Sequence, residues 1–171
     1  MEHQNRSNGT IEIEHLVEQL GSKKGTERMK ARKKFVEYGD NAADYMIELL
    51  NHKNHIYRKE ALKILVEIGN PAYIPFFLQA LEDEESDIRW IAAKGLIKLG
   101  KSSLKPLLNL LVEKSDSIFV LAGAHHVFFD LRKQKKLPLD FPVNNLLEKL
   151  KTPEWKEGLK SLSYEILQNM E

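Results

Sequence analysis

Between residues 28 and 100 the apolar positions follow one pattern three times. Arg28, Arg58 and Arg89 each stand three residues before an alanine (Ala31, Ala61, Ala92), and a large apolar residue follows four positions later (Phe35, Leu65, Leu96). Val36, Val66 and Ile97 come next, and Gly39, Gly69 and Gly100 close the segments. Alanine, plus four, plus five and plus seven share one face of a 3.6-residue helix, which predicts an amphipathic helix in each segment. The alanine is small enough to let a neighbouring helix approach closely. Each glycine supplies the left-handed residue on which a helix readily ends.

A second helix is predicted after each glycine. Asn70 before Pro71 provides an N-cap and a preorganised first turn. Pro75 and Pro106, each six residues past a glycine, are expected near the start of their helices, where a missing N–H costs least. The segments start 30 residues apart (28 to 58) and then 31 (58 to 89). Neither helix of such a pair covers its apolar surface alone, so successive pairs must stack and share a core, as in an α-solenoid.

The repeated arginine, alanine and glycine, with Asp83 and Arg89 at the joint between pairs, resemble HEAT repeats, in particular the short type named after phycobilisome lyases. His52 stands where that family usually has aspartate, and Phe119 where a fourth arginine is expected. The resemblance implies an all-α fold, an α-α superhelix (HEAT-like solenoid) of about nine or ten helices. Residues 1–171 are expected to form a single domain: an N-terminal cap over 10–27, repeats at 28–57, 58–88 and 89–118, a degenerate fourth repeat over 119–150, and a capping helix over 151–171. In the fourth repeat Ala124 aligns with the repeat alanine and Phe128, Phe129 and Leu131 take core positions, while Arg132 replaces the closing glycine. Thr152, Pro153 and Glu154 are expected to start the last helix, whose apolar stripe is Trp155, Leu159, Leu162 and Ile166.

Composition narrows the chemistry. The chain has 171 residues, no cysteine, and 26 basic against 25 acidic side chains, a net charge of +1. Disulfides, thiolate nucleophiles and cysteine-ligated zinc are excluded, in keeping with a cytoplasmic setting. No apolar run approaches the roughly 20 residues of a membrane span, so no membrane partner is expected. With so balanced a charge, any electrostatic binding must come from local patches.

Two clusters invite a chemical reading. His126 and Asp130, four residues apart on one helical face and next to His125, are candidate metal ligands or an acid-base pair. The set is incomplete, and in the repeat register His126 aligns with Lys33, Lys63 and Lys94, all surface positions. No cofactor and no catalytic residue are expected. Among enzymes built from such repeats, deoxyhypusine hydroxylase binds iron through His-Glu dipeptides, and this sequence has none. The basic run over 23–34, with Lys23, Lys24, Arg28, Lys30, Arg32, Lys33 and Lys34 against Glu27, offers a nucleic-acid-binding alternative. It has no interleaved aromatic to stack a base, and a solvated outer helix explains it as well.

The resemblance also implies that the second helices line a concave, partner-binding side. Positions five and nine past each glycine are Asp44 and Glu48, Ile74 and Leu78, and Lys105 and Asn109. If these face outward they form a strip running from acidic through apolar to basic, suited to an amphipathic helix or peptide of a protein partner. The expected function is a non-enzymatic protein-interaction module or scaffold. An accessory subunit of a chromophore lyase is the other alternative that the repeat type suggests.

Overall fold

A computed structural model describes residues 12–151 and 156–170. Every regular element among the described residues is helical. Residues 12–20 form α1, followed by α2 (Gly25–Tyr38), α3 (Ala43–Leu49), α4 (His55–Ile68), α5 (Ile74–Ala80), α6 (Ser86–Leu99), α7 (Lys101–Glu113), α8 (Ile118–Lys133), α9 (Val143–Lys151) and α10 (Lys156–Gln168). Short 3-10 turns, Gly39–Ala42 and Pro71–Tyr73, lead into α3 and α5. Thr152, Pro153, Glu154 and Trp155, expected at the start of the last helix, lie outside the described residues.

The chain divides into two compact units between Ile68 and Gly69. In the first, α2 packs on α4 and α3 on α4. In the second, α6 packs beside α8 and α5 beside α7, so first helices stack on first and second on second. Both units therefore carry out locally the stacking of helix pairs that the repeat requires.

Helix ends follow the sequence closely. Gly39, Gly69 and Gly100 have φ of +58°, +75° and +59°, a region costly for residues with a Cβ. Asn70 Oδ1 accepts from the Ala72 amide at 2.9 Å, so the expected cap opens the 3-10 turn before α5. Pro75 lies in the first turn of α5. Pro106 differs from expectation: α7 begins directly at Lys101, without a loop after Gly100, which places the proline inside the helix. Helix α8 lacks a closing glycine and runs for 16 residues against 14 in α2, α4 and α6. Its turn is made by Lys135, at φ 55°.

The repeat alanines Ala31, Ala61 and Ala92 and the residues four positions on, Phe35, Leu65 and Leu96, are wholly buried. At plus five the three repeats differ, for Ile97 is buried while Val36 and Val66 are only half-buried. Phe129, at the same position of the fourth repeat, is 41% exposed and corrects its assignment to the core. At the edge of the stripe a valine tucks in, whereas a phenyl ring projects. Close packing recurs at Gly123, where a Cβ would stand 2.7 Å from Leu81 Cδ2.

Candidate functional site

The expected partner strip divides between the units. Asp44 and Glu48 are exposed on α3 in the first. In the second, Lys105 and Asn109 are exposed on α7, Leu78 is half-buried, and Ile74 is 5% exposed. Ile74 is therefore a core residue and not an outward apolar centre. The reason is register: α5 starts at Ile74, five residues past Gly69, whereas α3 starts at Ala43, four past Gly39, so the buried stripe moves on by one residue to Tyr73, Ile74, Phe77 and Leu81. Lys105 and Asn109 line an open groove of about 470 Å³ with Tyr164 and Leu167 of α10, and Lys105 Nζ lies 3.5 Å from the Met170 carbonyl oxygen. The last helix packs directly on α7 and thus occupies one side of the second-helix surface.

The two arginines of the basic segment are neutralised from within. Glu60, buried on α4, receives Arg32 and Lys63 and lies 3.6 Å from Arg28. Burial of this carboxylate opposes its ionisation, but the hydrogen bonds and charges of Lys63 and Arg32 prevail and hold its pKa below the usual value. Arg32 also meets Glu67 at 3.3 Å, Lys24 meets Glu27 at 3.1 Å, and Lys34 meets Glu37 at 3.0 Å. Arginines held this way are structural ties. They contribute little field for a polyanion, while Lys23, Lys24, Lys30, Lys33 and Lys34 are the exposed cations of the run, Lys24 and Lys34 being paired with Glu27 and Glu37.

His126 and Asp130 fall on α8, but His126 is engaged elsewhere. Its ring stacks on Trp90 of α6, with centroids 4.1 Å apart and planes 23° from parallel. Among the described residues no group of three or more His, Asp or Glu side chains is placed to hold a metal ion. His125 stacks at 6.2 Å on Phe129, and its buried Nε2 has no hydrogen-bond partner. Burial first, then the charges of Lys151, His126 and Arg132, lower its pKa and favour the neutral ring.

These contacts belong to a surface that sequence reasoning passed over. Trp90 on α6 is 50% exposed, while Ile118, Phe119 and Phe129 on α8 are 67%, 40% and 41% exposed. Each aromatic is flanked by a cation: Arg89 over Phe119 at 4.1 Å, Lys94 near Trp90 at 5.5 Å, and Arg132 near Phe129 at 5.3 Å. Asp87 and Asp130 are the carboxylates on these helices. Helix packing brings the residues together, since α6 and α8 lie side by side although about 30 residues separate Trp90 from Phe119 in sequence. The signal that could have found Trp90 was its register: it follows the repeat arginine, the position held by Met29 and Lys59, and Met29 is exposed.

Two comparisons with known proteins bear on this arrangement. The HEAT-repeat family matches residues 43–125. A chain in the structure of the complex of CpcE and CpcF of phycocyanin lyase from Nostoc sp. PCC7120 has a similar fold, with a TM-score of 0.61 and 20% identity, covering 91% of this chain and 99% of that chain. Comparison with curated proteins gives no match.

Proposed function

We propose that this HEAT-repeat chain is a non-enzymatic protein-binding module, and that the α6/α8 face of its second unit is where a partner docks. The observation that carries the reading is the row of exposed aromatic rings, each with a cation beside it. Trp, aromatic and Arg side chains dominate the energetics of protein interfaces, and rings already held by neighbours lose little entropy on binding. Trp90 is fixed by His126, and Phe119 by Arg89. The partner that fits is a protein segment with apolar side chains for the rings and carboxylates for Arg89, Lys94 and Arg132. Affinity capture with the wild-type chain and with the double variant Trp90→Ala, Phe119→Ala tests it. A partner retained by the wild type should be lost from the variant while both remain folded, and equal retention would refute the assignment of this face.

A second reading, an accessory subunit of a chromophore lyase, is favoured by the nearly full mutual coverage with a protein of the phycocyanin lyase complex. Under it the captured partner is itself a lyase subunit. The nucleic-acid alternative loses support because Arg28 and Arg32, its strongest bases, are tied to Glu60. Of the residues expected on the second helices, Asp44 and Glu48 in the first unit and Lys105 and Asn109 in the second are exposed, and Ile74 is buried.

A further inference from the structure

The segment joining α8 to α9 reads RKQKKLPLDFP over 132–142 and takes no part in the surface just described beyond Arg132. Arg132, Lys133, Lys135 and Lys136 are all exposed, and Leu139 is exposed completely. A helix C-terminus accounts for the first two cations, which sit in the last turn of α8 where the backbone carbonyls favour positive charge. It does not account for Lys135 and Lys136, which lie beyond the helix. Lys135 adopts a left-handed backbone that a lysine occupies at some cost, and the Lys136 amide closes the turn onto the Leu131 carbonyl at 2.9 Å.

Lys101 adds a cation from another element. It stands in the first turn of α7, where the helix dipole disfavours positive charge, and that turn has no acidic residue. It lines an open cleft of about 720 Å³ with Pro138 and Asp140, and Lys136 reaches within 3.9 Å of the space beside Gly100, its chain neighbour. The carboxylates that line this cleft are Asp140 and Glu165. The overall charge of +1 conceals this local excess of positive charge.

We propose that the 132–139 segment docks the second unit onto an anionic lipid surface, with Lys101, Lys133, Lys135 and Lys136 against the headgroups and Leu139 entering the acyl boundary. The two features together select this occupant. Nucleic-acid phosphates would use the cations but gain nothing from a protruding aliphatic chain, whereas a lipid interface uses both. Among the described residues no helix is long and apolar enough to cross a membrane, and the contact proposed here reaches no deeper than the acyl boundary.

The chain has no cysteine, so Leu139→Cys places a polarity-sensitive dye at one known position. Vesicles of phosphatidylcholine, with and without phosphatidylglycerol, are the probe, with co-sedimentation and dye emission read at low and high salt. Binding and a blue shift are expected only with the anionic vesicles at low salt. Each Lys→Gln change at 133, 135 or 136 should weaken partitioning about fivefold. Leu139→Asp should weaken it further and leave the circular dichroism spectrum unchanged. No binding to anionic vesicles at low salt would overturn the proposal. So would anionic binding that Leu139→Asp leaves untouched and that single-stranded DNA matches, since the segment would then be a general polyanion patch.

Discussion

Arg89 Nη1 donates to the Asp83 carbonyl at 2.6 Å and to the Glu84 carbonyl at 2.9 Å. The same tie occurs at the other repeat arginines: Arg58 reaches the carbonyls of His52 and Lys53 at 3.0 and 3.3 Å, and Arg28 those of Ser22 and Lys23 at 2.6 and 3.2 Å. A guanidinium at each helix start thus satisfies carbonyls of the preceding loop, groups that would otherwise face solvent or go unpaired. His52 fits in place of the family's aspartate because the arginine reads the backbone of that residue. Where Phe119 replaces the fourth arginine the tie is absent, and Arg89 stacks on the ring instead.

Replacing Arg58 with Gln should therefore cost roughly 1.5 to 3 kcal/mol, the range for hydrogen bonds to a charged donor. Arg58→Lys should recover only part of it, because both bonds come from Nη1, whose two hydrogens are held in the guanidinium plane, and a rotating ammonium on a different stem does not hold that placement. Urea unfolding monitored by circular dichroism checks both, with the loss appearing in the midpoint and not in the slope.

Such ties were partly legible beforehand. The spacing of Arg58, Ala61, Leu65 and Gly69 gave the helix, its buried face and its end, because those properties depend on local periodicity and on one backbone conformation. What the arginine binds was not legible, since a carbonyl has no residue identity. Ile74 was misplaced because α5 starts five residues past its glycine and α3 only four, so one count from the glycine does not serve both helices. The α6/α8 face stayed hidden for a third reason: Trp90 and His126 meet only once two repeats are stacked.

Ile74→Asp makes the register testable. A carboxylate at a position only 5% exposed should destabilise the second unit by several kcal/mol and shift its melting temperature well down. A small effect would restore Ile74 to the surface.

Glu60 should govern the acid limit of the first unit. Its folded pKa lies below the ordinary value of 4.5, so its contribution is complete above that value and is lost as pH falls through the folded pKa. Glu60→Gln leaves Arg28, Arg32 and Lys63 facing one another without their shared anion. It should cost roughly 3 kcal/mol at neutral pH, at the low end for a broken buried pair because the cations keep some hydration. Stability measured from pH 7 downward should show the gap between wild type and variant closing below about pH 4.5.

Ala92→Leu probes the contact between helices. Ala92 is fully buried, and added methylenes there should overpack the second unit and cost roughly 1 to 3 kcal/mol in a thermal or urea titration. An unchanged titration would mean that no helix lies close to this face of α6.

The central claim is that a protein docks on the α6/α8 face, and site-specific photo-crosslinking in the native cell tests it most directly. A benzophenone side chain is placed at Lys94, beside Trp90, and in a second strain at Asn109, on the α7/α10 groove. The account predicts one discrete crosslinked species from position 94 that disappears when Trp90 and Phe119 are also changed to alanine. A discrete species from position 109 alone, or none from position 94, would contradict it.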